Sequence, residues 1–127
     1  MSLSKRQQVF TKNVGKLISY ANELGVGLTF GDAFRSESQM LLNYHGKKVV
    51  NTVRGLELED SKRVSWTMNS LHAKRLAVDF NFFIDGKYTN SGEQIDILGA
   101  YWESLHPSNV WGGNWKNQDK PHFQMNL

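Results

Sequence analysis

The strongest constraint on this chain is a carboxylate set inside an apolar strand. Leu76, Val78, Phe80 and Phe82 alternate with Ala77, Asp79, Asn81 and Phe83, the period of two that sends successive side chains to opposite faces of a sheet. Asp79 therefore lies on the face opposite Leu76, Val78 and Phe80. An unpaired carboxylate among apolar neighbours costs several kcal/mol, so the fold must bring Asp79 a partner. His72 precedes it within Ser70-Leu71-His72-Ala73-Lys74-Arg75. A second polar cluster, Asp119-Lys120-Pro121-His122-Phe123, lies near the other end of the chain.

The remaining pattern reads as a scaffold for those two segments. Val9, Phe10, Val14, Leu17, Ile18, Ala21 and Leu24 recur at helical spacing, which predicts a helix from Ser4, as its cap, to Leu24, with Gly25 ending it. Val26 to Ala33 predicts a short strand, and Ser36 caps a helix over Glu37 to Tyr44. Gly46 to Ser65 has mixed polarity and reads as a long loop with room for short strands. Leu76 to Ile84 is the best-marked strand, and Asp85-Gly86 turns it into Lys87-Tyr88-Thr89. A helix follows over Ser91 to Leu105, capped by Ser91 or Asn90 and stopped by Pro107. Trp111-Gly112-Gly113-Asn114-Trp115 makes a glycine turn flanked by indoles, each either a core plug or a cleft wall. Pro121 to Met125 closes the chain as a strand. These elements predict an α+β domain spanning 1–127: a small central antiparallel sheet, helices packed on it, and a site at the open face of the sheet.

Two imidazoles and two carboxylates are the ligand and base set of a mononuclear zinc hydrolase. Catalytic zinc takes three protein ligands and leaves a fourth position for water. His72, Asp79 and His122 can form that set if the strand carrying Asp79 lies beside the one carrying His122. The chain has no cysteine, so any metal must be held by histidine and carboxylate. Asp119, three residues before His122, is placed to act as general base. Arg35 can neutralise an oxyanion, or else pair with Glu37 or a helix carbonyl. Spacing alone leaves the metal site open. His45, in a polar loop, and His106, after a helix end, read as non-ligands.

Ser70-x-His72, Ala77-x-Asp79, the late Trp111-Gly112-Gly113 and Asp119-x-x-His122-Phe123 together resemble the D-alanyl-D-alanine carboxypeptidase and L-alanyl-D-glutamate endopeptidase family, and within it the phage endolysin branch. The resemblance spans residues 26 to 124 and implies a Hedgehog/DD-peptidase-like fold. It implies zinc on His72, Asp79 and His122, with Asp119 as the base. Phe34-Arg35-Ser36-Glu37-Ser38-Gln39 matches the family's arginine segment, which makes Arg35 a substrate contact and adds Gln39. Ser70 and Ser65 match serines near the first motif, and Trp115 joins them as a substrate-side residue. Many members carry glycine three residues after the first histidine; Arg75 stands there in this chain.

The implied substrate is the stem peptide of bacterial peptidoglycan, cut at the L-alanyl-D-glutamate bond. D-alanyl-D-alanine cleavage and a non-catalytic peptidoglycan-binding module are the alternatives. The N-terminus has basic residues but no apolar stretch after them, so no signal peptide is expected. A protein of this kind would collect in a host cytoplasm and reach the wall after release. Net charge is +3, with Lys and Arg scattered and not in a block, which gives no nucleic-acid motif. No apolar run is long enough to insert in a membrane, and a monomer is expected.

Overall fold

The computed structural model describes residues 1–61 and 70–127. Among the described residues three helices and seven strands follow in order: α1 (Leu3–Glu23), β1 (Val26–Phe30), α2 (Glu37–His45), β2 (Lys47–Thr52), β3 (Gly55–Asp60), β4 (Ala77–Ile84), β5 (Lys87–Thr89), α3 (Glu93–Ser104), β6 (Asn109–Trp111) and β7 (His122–Met125), with a 3₁₀ turn at Gly112–Asn114 between the last two. The α+β class with an antiparallel sheet is as expected. The five-stranded sheet runs β1-β4-β7-β6, and β5 adds to β4. Every pairing is antiparallel.

Strand β4 is the centre, and its alternation is the expected one. Val78, Phe80 and Phe82 are buried, whereas Asp79, Asn81 and Phe83 are half-buried. On β7, Phe123 and Met125 enter the same core while His122 and Gln124 occupy the other face. Phe123 is the hub: its ring meets Phe80 at 6.0 Å, Phe82 at 6.2 Å and Trp102 at 5.9 Å in edge-on geometry. Fully burying a side chain of this size contributes about 1.5–3 kcal/mol. The residue next to His122 therefore anchors its strand. Helix α1 covers the core with Phe10, Leu17 and Ala21, and Phe10 meets Trp102 of α3 at 5.5 Å. Among the described residues no helix is long and apolar enough to cross a membrane.

Several boundaries differ from the sequence reading. Helix α1 is capped by Ser2, whose hydroxyl accepts from Lys5 N, and not by Ser4; the chain offers two serines, and the earlier one fits the first turn. Helix α3 begins after Gly92, at φ 146°, without a side-chain cap. His45 closes α2 and is not a loop residue, because Gly46 takes the left-handed conformation at φ 66° and its N–H bonds Leu42 O. In the segment read as a loop, β2 and β3 form a regular hairpin, with Val49 opposite Leu58 and Asn51 opposite Leu56. It pairs with no strand of the main sheet, and Val49, Leu56 and Leu58 remain exposed.

Candidate metal centre

The two polar segments meet in register. Asp79 lies directly opposite His122, Val78 opposite Phe123 and Ala77 opposite Gln124. His72 arrives from the turn that precedes β4. Ser70 shapes that turn by accepting from His72 N at 3.2 Å through its hydroxyl and from Ala73 N through its carbonyl. His122 Nδ1 is 3.0 Å from Asp79 Oδ1, and His72 Nε2 is 3.4 Å from the same oxygen. One candidate ligand atom from each of the three residues lies within 4.8 Å of the others.

Each imidazole is held through its far nitrogen. His72 Nδ1 donates to the Ala33 carbonyl at 3.3 Å, and His122 Nε2 donates to Gln124 Oε1 at 2.7 Å. With the outer nitrogens committed as donors, His72 Nε2 and His122 Nδ1 are the atoms that face Asp79, where each can donate a proton to the carboxylate or, freed of it, ligate a metal. Two neutral imidazoles and a carboxylate, oriented by oxygen acceptors, form a donor set that fits zinc.

Burial alone would raise the Asp79 carboxyl, but its bonds to His122 and His72 and their charge hold it well below the usual carboxylate range. Burial disfavours charge on His122, yet the bonds to Asp79 and Gln124, with the Asp79 and Asp119 carboxylates, raise it above the ordinary imidazole value. Asp119 reaches solvent; desolvation by its surroundings raises it, His122 opposes that rise, and the Asp79 charge adds to it. These mutual influences place Asp119 in the electrostatic field of the other three.

The loop carrying Asp119 is fastened by backbone. Asp119 N bonds Gly112 O at 2.9 Å, and His122 N bonds Asp119 O at 3.1 Å. Gly112 must be glycine for this approach, because a Cβ there would sit 2.3 Å from Asp119 O and 3.1 Å from His122 Cβ. Trp111 supplies the second fastening, with Nε1 donating to Lys120 O at 2.8 Å. Its ring lies against the backbone of Gly99 and Gly113, where an added Cβ would come within 2.1 and 2.3 Å of ring carbons. Glu103 accepts from Trp111 N and Asn114 Nδ2, both at 3.0 Å, and Lys120 Nζ reaches Asp96 at 3.2 Å. The two indoles differ in exposure: Trp111 is 4% exposed, whereas Trp115 is 38% exposed with its ring 5.0 Å from that of His122.

Arg35 adjoins the group through its backbone, its N donating to His72 O at 3.3 Å. Its Nη2 pairs with Asp32 at 2.7 Å, and not with Glu37, while the buried Nε has no partner among the described residues. Gln39 is not drawn in: its N bonds the Ser36 cap, and its side-chain amide donates to Asn43 at 2.7 Å along α2. Ser65 lies outside the described residues. His106 Nδ1 accepts from Ser108 N at 3.0 Å, a capping role away from the group. Arg75 adopts φ 57°, a left-handed conformation in which glycine is easiest, and its guanidinium lies 4.1 Å over the Phe34 ring.

Three participants were not expected. Asp32 contributes its carbonyl to Asp79 N at 2.7 Å, and Ala33 its carbonyl to His72; carbonyls leave no trace in side-chain identity. Gln124 was legible through the strand period, two residues beyond His122.

Comparison with known proteins supplies three findings. Residues 63–125 match a family described as D-alanyl-D-alanine carboxypeptidase. The fold is similar to the crystal structure of Serratia marcescens L-Ala D-Glu endopeptidase ChiX, with TM-score 0.60 and 18% identity over 97% of this chain and 85% of that one. Among curated proteins no sequence match was found.

Proposed function

From the match of residues 63–125 to the D-alanyl-D-alanine carboxypeptidase family, we propose that the chain is a zinc-dependent peptidase of bacterial peptidoglycan. The bond cut is the L-alanyl-D-glutamate bond of the stem peptide, and the role is endolysin-type lysis of the cell. Residues 1–127 act as one monomeric peptidase domain, reaching the wall after release from a host cytoplasm. The observation that carries this reading is the convergence of His72 Nε2 and His122 Nδ1 on Asp79 Oδ1, beside an acid whose carboxyl is raised.

His72, Asp79 and His122 would hold the zinc, which when bound would supply Lewis acidity toward the scissile carbonyl and the attacking water. Asp119 takes the proton of the attacking water as its oxygen bonds to the carbonyl carbon. When the C–N bond breaks, Asp119 hands that proton to the departing amine. Arg35, steadied by Asp32 at Nη2 and fixed by its backbone to His72 O, offers its guanidinium charge to a substrate oxygen. Trp115, exposed and with its ring tilted 5.0 Å from that of His122, forms a wall of the cleft, and Ser70 holds the His72 turn in place.

D-alanyl-D-alanine cleavage is the second reading, favoured by the family's own description. Mass spectrometry of purified peptidoglycan after digestion separates the two. Fragments newly ending in L-alanine support the first reading, and free D-alanine supports the second. Asp119→Ala should keep its zinc and lose turnover by about 10²–10⁴-fold. A chelated, metal-free preparation that still cuts would refute the mechanism, and intact muropeptides from zinc-loaded wild type would leave only wall binding.

A further inference from the structure

The two histidines of the centre present opposite nitrogens, and they are set by different means. His72 is fixed by a main-chain carbonyl, that of Ala33, on its Nδ1, which no substitution can remove directly. His122 is fixed by a side chain. Its Nε2 lies 2.7 Å from Gln124 Oε1, while its Nδ1 faces Asp79 Oδ1 at 3.0 Å.

An amide offers an oxygen on one side and a donor on the other, so a Gln beside an imidazole could select either tautomer. Here the choice is made by the next residue on the same strand face. Gln124 Nε2 donates to Asn126 Oδ1 at 2.7 Å, which turns Oε1 toward His122. The proton then belongs on His122 Nε2, and the lone pair on Nδ1 points into the centre.

The frame around Gln124 is rigid. Its carbonyl accepts from Trp102 Nε1 at 3.0 Å. Phe123 and Met125 on either side are fully buried, and Ala77, opposite in register, leaves room for the longer side chain. Asn126 is held in turn, its N bonding Ser108 O at 2.8 Å and its carbonyl accepting from Arg6 Nη1 at 3.0 Å.

We propose that Gln124 is a positioning residue that fixes the tautomer and tilt of His122 for metal binding, with Asn126 selecting the face of its amide. The inference rests on the zinc reading of the centre but concerns metal affinity and not the bond cut. Groups that bond a metal-ligating histidine typically change affinity by about 10–100-fold when removed.

Gln124→Leu keeps the volume and removes the acceptor; Gln124→Glu restores an acceptor oxygen at the same reach. Zinc affinity would be measured by chelator competition, and the unfolding temperature of the metal-free protein in parallel. Gln124→Leu should bind zinc about 10–100-fold more weakly, with a metal-free unfolding temperature close to wild type, and Gln124→Glu should recover most of the affinity. In nitrogen-15 spectra of the zinc-loaded protein, His122 should show a protonated Nε2 in wild type and lose that slowly exchanging proton in Gln124→Leu. Unchanged affinity in Gln124→Leu overturns the inference alone. Equal affinity losses in both variants, tracking equal losses of fold stability, reduce Gln124 to a structural role and overturn it too. Wild type that takes up no zinc refutes the metal reading itself, and the inference with it.

Discussion

Gly112→Ala is the sharpest test of how the loop and the strand are held together. The added methyl would lie 2.3 Å from Asp119 O and 3.2 Å from Asp119 C, both backbone atoms, and 3.1 Å from His122 Cβ. Ordinary contact begins near 3.4 Å, so the backbone at Asp119 must withdraw by about 1 Å. Neither obstacle is the free end of a flexible side chain. Gly112 is buried and its carbonyl receives Asp119 N, so withdrawal also strains that bond. Overpacking of this kind costs about 1–3 kcal/mol, which a domain of this size survives. A misplacement near 1 Å at a reacting group costs on the order of 10²-fold in rate. Turnover on purified stem-peptide fragments should therefore fall about 100-fold in a protein whose circular dichroism is native and whose unfolding temperature drops only modestly. Gly15→Ala is the control: nothing lies within 4 Å of its Cβ position in the middle of α1, so it should gain about 0.5–1 kcal/mol and keep full turnover. Wild-type turnover in Gly112→Ala would refute the claim that this contact sets the position of Asp119.

Metal uptake should depend on pH through His122. Its raised value means that zinc must displace a proton from Nδ1, so affinity should climb about tenfold per pH unit from below 6.5 and level off above the folded value. Without metal the trend reverses. Stability from the raised His122 is fully present below 6.5 and lost as pH rises through its folded value, while that from the lowered Asp79 is present above 3.8 and lost as pH falls. Unfolding temperatures in chelator should therefore peak between those bounds, and a flat profile for both quantities would sink the assignment. At Arg75, the left-handed backbone costs a non-glycine residue about 1 kcal/mol, and the Phe34 stacking returns about 0.5–1 kcal/mol. Arg75→Gly should stay close to wild type in chemical denaturation, whereas Arg75→Ala should lose about 0.5–1 kcal/mol; an alanine variant as stable as the glycine one would remove the strain argument.

What could be read from the chain follows from where its patterns were forced. Asp79 in an apolar run demanded a partner, and the strand period put Asp79 and His122 on the polar faces of their strands, but that the two strands are neighbours is a fact of the fold. The β2–β3 hairpin was legible only as room for short strands in a loop, because both its faces meet solvent and Lys48, Glu57 and Glu59 mask its period with charge. Arg35 was placed in the right neighbourhood, but its partner Asp32 comes from a bend that no periodicity marks. Gln39 matched by position in the motif, yet an amide on an exposed helix face finds its nearest neighbour one turn away. The orientation of His72 depends on a main-chain oxygen that any residue at position 33 would supply.

Trp111 has a mechanical consequence beyond its hydrogen bonds. Its indole fills the space between the α3 backbone at Gly99 and the turn at Gly113, with no side chain at either surface to yield. It behaves as a shim of fixed thickness, setting the distance from helix to loop without charge. A displacement of α3 should then carry the loop with it. The centre thus inherits its rigidity from a ring that never touches it.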